Sequence, residues 1–375
     1  MKIAIDARMG HTRVGMGVYT RGLLRSLSKI DKTNDYYVIL NEDRKDTFVP
    51  SQDNFHKIYT NVTYGSYFRR DLWEQVYLPI LLRKYEVDVY HGPYGILPAF
   101  GNSRMVLTIH DMIAFLSPEW HTSISRYRIQ KLFSLSAKRA YRIITVSEHS
   151  KKDIVSILGI PGEKIRVSYN GVDEEYRIIN DESRLSLAKA KYGISAKFIL
   201  HVGSMNPTKN IPRLIEAYSK LPSALLEEYE LVLVGRSGRR SDATSAQIEQ
   251  LGLRGRVVCT GVVEDEDLPA LMNAASLLAF PSLYEGFGIP PLEAMACGVP
   301  VVASNASSIP EVVGDAALLF DPYSVEEMSA LICEVLTDEE LRDDLVRRGF
   351  ERVKHFSWAK AAQETLAVYD ETHGG

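Results

Sequence analysis

PSLYEGFGIPPLEAMACG, residues 281–298, follows a short apolar run at 277–280 that reads as a buried strand. Gly286 and Gly288 make a loop, Pro290 and Pro291 lead into a helix over 292–296, and Gly298 stops it. Proline suits the first helical turn and glycine the position past the last. A helix start after a glycine turn aims several N–H groups at one point, which suits an anion. Two carboxylates, Glu285 and Glu293, bracket that point. Glu293 has a bland account: a carboxylate in a first helical turn gains about 0.3–1 kcal/mol from the helix dipole. Glu285, in the loop beside Tyr284 and Phe287, has no such account.

Around this stretch, strands and helices alternate. In the back half the expected strands are 198–203, 231–235, 256–261, 276–280, 299–304 and 317–320, with helices at 211–221, 244–251, 267–275, 325–336 and 339–355. Several strands run into glycine (Gly203, Gly235, Gly261), which marks the ligand edge of an open α/β sheet. In the front half the strands are 2–6, 36–40, 57–60, 87–91, 105–110, 142–147 and 164–168, with amphipathic stretches at 18–27 and 124–141. Apolar strands alternating with helices predict an α/β fold with parallel sheets covered on both faces. Asn170-Gly171 is a turn signal, and the polar residues after it predict a linker over 171–195 with a short helix at 184–192. The expectation is two Rossmann-like domains facing a central cleft, 1–170 and 196–355, and a last helix in 356–375 that Ser357 caps.

Composition narrows the classes. An apolar share of 45% and a charged share of 25% suit a soluble globular protein, and 375 residues suit two domains. No apolar run approaches the ~20 residues of a membrane span. The opening MKIAIDAR reads as a strand, not a signal peptide. Cys259, Cys297 and Cys333 are far apart, which argues against disulfides and structural zinc and for a reducing compartment. Residues 1–170 hold 25 Lys+Arg against 16 Asp+Glu, and the remainder 19 against 32. A basic front half suggests an anionic partner there.

Other groups stand at expected strand ends. Gly15, Met16 and Gly17 form a glycine loop that can approach a phosphate. A dinucleotide fingerprint would start directly after the strand and place its third glycine where Thr20 stands, so a nicotinamide cofactor is not indicated. His110 and Asp111 end the run 106–109. Lys209 and Arg213 lie four apart after Gly203 and Ser204, so both can face one site and neutralise a diphosphate without a metal. Asp265, Glu266 and Asp267 form an acidic run that reads as a helix cap rather than a metal pair. No P-loop, H-E-x-x-H or G-x-S-x-G pattern occurs.

Glu285 and Glu293, seven residues between them, within EGFGIPPLEAMACGVPVVAS, resemble the E-x7-E signature of retaining, nucleotide-sugar-dependent glycosyltransferases of the GT-B fold, family 4. MKIAIDAR, GMGVYTRGLLRSL, VLTIHD, ITVSEHSKKDI, VSYNGVD, LHVGSMNPTKNIPRLIEAY, LVGRSG and FSWAKAAQETLAVYD are similar to family segments in the same order, so the resemblance spans nearly the whole chain. It implies a second domain that binds the nucleoside-diphosphate sugar and a first that binds the acceptor. Glu293 would hold the ribose, and Glu285 would lie near the donor sugar. Backbone amides of Gly286, Phe287, Gly288 and Ile289 would hold sugar hydroxyls and phosphates, Lys209 would neutralise the diphosphate, and Val263 and Leu268 would line the base. Gly15, Met16 and Gly17 would close over the phosphates, His110 would reach the donor sugar, and the last helix would cross back to the first domain. Many relatives carry an arginine where Ser204 or Thr208 stands here, which leaves Arg213 as a substitute.

The implied activity is hexosyl transfer from a GDP-mannose- or UDP-glucose-type donor to a glycan or lipid-linked acceptor, in bacterial surface polysaccharide synthesis. No obvious nucleophile is present, so front-face attack is expected, without metal or cofactor. A nucleotide-sugar epimerase of the same fold and a non-catalytic sugar-nucleotide-binding protein are the alternatives. Residues 120–147 carry six Lys/Arg and no acid. They suggest either a solvated basic face or a peripheral contact of a cytoplasmic protein with an anionic membrane. Nucleic acid is not expected as a partner.

Overall fold

The computed structural model describes residues 1–12, 15–42, 46–62, 67–116, 123–236 and 241–374. They form two units, Met1–Gly171 with Ser357–Gly375, and Val172–Phe356.

The first unit holds a seven-stranded parallel sheet ordered β3-β2-β1-β4-β5-β6-β7. Its strands are β1 (Lys2–Asp6), β2 (Asp35–Asn41), β3 (Phe55–Thr60), β4 (Val89–Gly92), β5 (Arg104–Ile109), β6 (Arg142–Thr145) and β7 (Ile165–Val167). One face is covered by a rod of helix Tyr67–Leu72, a π turn Trp73–Tyr77 and helix Leu78–Lys84, followed along the sheet by helices Ser123–Arg139 and Glu148–Leu158. Trp73, Leu78, Leu82, Ala137 and Ile154 join strand residues Ile109 and Ile143 in one core there. The rod was not foreseen, because Pro79 interrupts its sequence pattern. Proline removes the N–H that an α-helix needs at that point, and the π turn absorbs the break, with the Leu78 amide donating to Trp73 O.

The other face is covered by helices Gly15–Ile30 and Trp358–Gly374. Trp358 lies where a Cβ on Gly22 would stand, about 2.3 Å from its ring. Only glycine allows this approach. His91 Nδ1 and Tyr369 Oη are 2.6 Å apart, both groups fully buried, and Arg142 pairs with Glu371.

The second unit holds a six-stranded parallel sheet ordered β10-β9-β8-β11-β12-β13. Its strands are β8 (Lys197–Val202), β9 (Tyr229–Val234), β10 (Val257–Gly261), β11 (Leu277–Phe280), β12 (Val301–Ser304) and β13 (Leu318–Phe320). Leu214, Ile215, Tyr218, Met328 and Ile332, from the helices Ile211–Ser219 and Val325–Thr337, pack on the strands as its core.

The segment 171–195 is not a free linker. Asp181 caps helix Glu182–Lys191, Lys191 and Tyr192 bind Asp267, and Asn273 holds the backbone of Arg177 and Ile179. These bonds fix residues after Gly171 to the second unit. Asp267 therefore spends its carboxylate on Lys191 and Tyr192 and makes no side-chain cap on the helix Leu268–Ala274. Residues 117–122 and 237–240 lie outside the described residues, and with them the start of the basic 120–147 stretch and the end of LVGRSG.

Candidate active site

Each sheet runs outward from a pair of strands where the chain order reverses, and open α/β sheets bind ligands at the carboxyl ends of that pair. In the second unit the pair is β8 and β11. The loop after β8 begins at Gly203. A Cβ there would stand 3.2 Å from His201 Nε2 and 3.3 Å from Lys209 Cδ. Gly235, at the end of neighbouring β9, has φ +147° and would drive a Cβ to 1.9 Å from Gly203 O. Both glycines let the β8 loop lie flat against its neighbours.

That loop passes through Ser204 into a 3-10 turn, Pro207–Lys209, and then Asn210 in the left-handed region at φ +56°. The strained Asn210 is over-determined: its amide donates to Pro281 O (3.2 Å) and Pro322 O (2.7 Å). The turn delivers the Lys209 ammonium to the Glu285 carboxylate, 76 residues on, and 5.5 Å from the centre of the Phe280 ring. Each of the two charged side chains keeps partial exposure, 17% for Lys209 and 15% for Glu285.

Glu285 is held by its backbone. Its N–H donates to Ser307 Oγ (2.8 Å), and Ser308 Oγ donates to Glu285 O and Phe287 O (both 2.9 Å). The Leu283 amide donates to Thr208 O, which ties the two loops together. Ser304 secures Ser282 O. The loop ends at Gly288, φ +103°, which precedes helix Ile289–Ala296 and carries no side-chain cap. The left-handed Gly288 turns the chain so that the Ile289 N–H is left for another acceptor; Pro290 and Pro291, next in the turn, carry no N–H.

Helix onset at Ile289 puts Glu293 fifth, beyond the first turn where the sequence placed it. Glu293 is 7% exposed, so the dipole account does not apply. Tyr176 hydrogen-bonds its carboxylate, and burial with this charge raises the tyrosine pKa far above its usual range. Burial and the Glu293 charge also push the Cys297 thiol up to about 12.

Arg213 does not join Lys209. The left-handed Asn210 breaks the helix between them, so four-residue spacing no longer puts them on one face. Arg213 Nη1 donates to Asn210 Oδ1 (3.0 Å), and the guanidinium lies 5.0 Å from the Tyr323 ring centre. Val263 is buried and Leu268 half-buried, after β10 and at the start of the next helix. Fully buried His201 donates from Nδ1 to Ala279 O (3.1 Å) and is held neutral, with burial lowering its pKa to about 4. No sequence motif flagged it. Only the close approach at Gly203 shows it beside Lys209.

In the first unit the corresponding pair is β1 and β4. Gly15, Met16 and Gly17 are not a loop there; they form the first turn of helix Gly15–Ile30. Gly17 is buried, with Thr12 O about 2.2 Å from where its Cβ would stand. His110 follows β5. Its Nε2 lies 3.0 Å from Pro93 O, an acceptor only, so Nε2 carries the proton and Nδ1 holds the lone pair. Burial lowers its pKa to about 4, and Tyr19 packs edge-on at 4.9 Å. At the β1 end Arg8 is 1% exposed, bonded to Asp6 (2.6 Å) and to Glu74 of the π turn (3.0 Å), with its guanidinium 4.2 Å from the centre of Trp73. No sequence pattern points to this triad, because Glu74 reaches it through the unforeseen rod.

Among the described residues no group of three or more His, Cys, Asp or Glu is placed to hold a metal ion. A cavity of about 640 Å³ lined by Ile80, Arg83, Asp88 and Arg104 opens at the amino ends of β4 and β5, away from the carboxyl ends of that sheet. Binding at a switch point needs the carboxyl ends, so the β8–β11 junction is the candidate site.

Residues 187–352 match the model for glycosyl transferases group 1, and residues 14–176 the model for glycosyltransferase family 4. The chain is 37% identical over 302 residues to the O-antigen chain mannosyltransferase B of Escherichia coli, covering 80% of this chain and 77% of that protein. A sucrose-phosphate synthase from Thermosynechococcus elongatus superposes with a TM-score of 0.80 at 21% identity, over 99% of this chain and 98% of that one. The Anabaena protein HepE in complex with UDP-glucose gives 0.78 at 22% identity, over 99% and 100%. These likenesses carry the GT-B fold. The two family models and the Escherichia coli relative make the chain a member of the group 1, family 4 glycosyltransferases, and a hexosyltransferase.

Proposed function

We propose that the protein transfers a hexose, with mannose favoured, from a nucleoside-diphosphate sugar to a surface-polysaccharide acceptor, glycan or lipid-linked, with retention of anomeric configuration and without a metal. The observation that carries this reading is the Lys209–Glu285 ion pair beside the uncapped helix start at Ile289. The pair is partly exposed and exchangeable. A donor diphosphate takes Lys209 from Glu285, and the freed carboxylate turns to the sugar hydroxyls. The Ile289 N–H and the dipole of its helix add fixed positive potential where the leaving diphosphate gains charge. Glu293, held by Tyr176, receives the ribose hydroxyls. The name of the Escherichia coli relative favours mannose and the O-antigen type of acceptor, and the UDP-glucose complex of HepE supports a sugar nucleotide as donor. A cytoplasmic location fits a donor made inside the cell.

In the step itself, the bond from the anomeric carbon to the diphosphate oxygen breaks as the acceptor oxygen bonds the same face. The acceptor proton passes to the departing phosphate oxygen. No side chain gains or loses a covalent bond. His110, neutral at pH 7, contributes a lone pair at Nδ1 that accepts from a sugar hydroxyl.

Thermal shift with GDP, UDP and ADP tests the donor first. A ligand at one hundred times its Kd stabilises by about 2.7 kcal/mol, so the matching nucleotide stands out. Transfer from its sugar, followed by NMR of the product's anomeric centre, tests the rest. No stabilisation by any nucleoside diphosphate overturns the reading, and an inverted product overturns the retaining mechanism.

A further inference from the structure

A chain of hydrogen bonds lies buried where β4 and β5 meet the helix Gly15–Ile30 and the terminal helix Trp358–Gly374. Tyr369 Oη and His91 Nδ1 are 2.6 Å apart, His91 Nε2 and Thr108 Oγ1 2.7 Å, and Thr108 Oγ1 and Tyr19 Oη 3.2 Å. All four residues are at most 1% exposed. The direction of donation follows from what each group can do. Among the described residues the Tyr369 hydroxyl bonds no acceptor other than His91 Nδ1, so Tyr369 donates to it. His91, held neutral by burial, keeps its proton on Nε2 and donates to Thr108, whose hydroxyl donates to Tyr19. Tyr19 also meets Thr365, one turn before Tyr369. The relay thus starts and ends on the terminal helix.

Docking a helix does not require such a relay, because a buried hydrogen bond adds little net stability and apolar groups of the same shape would serve. What the relay adds is position, and it leads to His110. Pro93, whose carbonyl holds His110 Nε2, comes two residues after His91, and His110 comes two residues after Thr108. Tyr19 packs edge-on against His110 at 4.9 Å and against Trp358 of the terminal helix at 6.2 Å. The backbone at His110 is fixed separately: Thr145 Oγ1 donates to Ile109 O and Ser150 Oγ to His110 O. That leaves the tilt of the imidazole ring. The two groups that set it, the Pro93 carbonyl and the Tyr19 ring, belong to the relay or to the strand end that carries it.

We propose that Tyr369 and His91 are positioning residues for His110, so that the terminal helix sets the ring that meets the donor sugar. This role rests on the proposed contact of His110 Nδ1 with a donor-sugar hydroxyl. As the bond to the diphosphate breaks, the sugar gains positive charge and its hydroxyl becomes a stronger donor. The contact at Nδ1 therefore tightens in the transition state, and its loss falls on kcat rather than on donor KM. A reacting geometry displaced by about 1 Å can cost about a hundredfold in rate. Neither Tyr369 nor His91 touches the substrate, and no proton leaves the relay.

A double-mutant cycle tests this, with nucleotide release from GDP-mannose or from UDP-glucose as the rate. Tyr369→Phe keeps the ring and removes the first donor of the relay. It should lower kcat at least about tenfold and leave donor KM within about twofold. In a His110→Ala background the same substitution should cost less than about twofold, because there is no ring left to misplace. Thr108→Val breaks the relay at its middle and should repeat both results, which decides the matter if Tyr369→Phe does not fold. A merely structural role would lower Tm in both backgrounds and leave the kcat of the folded enzyme alone. Equal loss of kcat in both backgrounds, or no loss in either, overturns the proposal. Nitrogen NMR of the His110 ring, with no ligand added, is the second readout. The parent should give one set of ring signals and Tyr369→Phe a broadened or doubled set; unchanged signals overturn the proposal. If neither sugar nucleotide turns over, the donor reading fails, and the ring signals still decide on the relay.

Discussion

At the β1–β4 junction Asp6, Arg8 and Glu74 are buried and close on one another, while at the β8–β11 junction Lys209 and Glu285 make one partly exposed pair. Both junctions are the place where an open α/β sheet offers its ligand edge. The chain uses them differently. Three charges removed from water in the first unit need every partner they have, and losing one would strand the others in a medium that cannot solvate them. They hold the end of β1 to the π turn. The second pair gives up little when it opens, because water and a ligand phosphate can both replace the carboxylate. The same residue types therefore serve as frame in one unit and as an exchangeable pair, the proposed donor site, in the other, and exposure decides which.

The contrast breaks most visibly at Lys209. Lys209→Ala should lower kcat/KM by about 10²–10³ while barely moving Tm, and wild-type turnover in this variant would remove the β8–β11 junction as the site. Arg8→Met should act in the opposite way. It should destabilise the protein to denaturant by about 3–5 kcal/mol, as loss of one partner of a buried ionic group does, and leave nucleotide affinity unchanged. Intact stability with lost affinity would make the triad a binding site instead.

Acid titration probes what the two units share. His91, with a pKa lowered to about 3, and His201, at about 4, are both fully buried and neutral. The unfolded chain takes up these protons near pH 6.5, the folded one much lower, so it is the unfolded state that binds more protons in between. Stability is then complete above about pH 6.5 and falls as pH drops toward 4 and 3, by a few kcal/mol per histidine. Tm measured from pH 7 down to pH 4 should show this slope. His201→Phe should flatten part of it, and an unchanged slope would mean that the ring is already charged. The smallest effect is expected at Arg213. Stacked on Tyr323 and bonded to Asn210, Arg213→Ala should change donor KM less than about threefold. A tenfold rise would show that it swings to the diphosphate after all.

The strand–helix alternation was legible because parallel strands buried on both faces are apolar throughout. All thirteen expected strands lie within two residues of those in the structure. Lys209 and Glu285 were each legible as candidate site residues from their loops, but not as each other's partner, since 76 residues separate them. The errors have local causes. Spacing put Arg213 beside Lys209 on the assumption of a continuous helix, which the left-handed Asn210 interrupts. Glu293 moved out of the first turn because the helix begins at Ile289 and takes both prolines into its opening. Ser304, Ser307, Ser308 and His201 escaped notice because a serine or histidine acquires its role only from what the sheet register sets beside it.

The terminal helix sets an order of events during synthesis. Trp358–Gly374 fills a face of the first sheet, seats Trp358 on Gly22 and bonds Tyr369 to His91. The whole second unit, Val172–Phe356, precedes that helix in the chain and is synthesised before it. The amino-terminal sheet must therefore wait, with one apolar face only partly covered, while the later-made unit completes its own core. A released chain ending at residue 356 should have a protease-resistant second unit and a vulnerable first one.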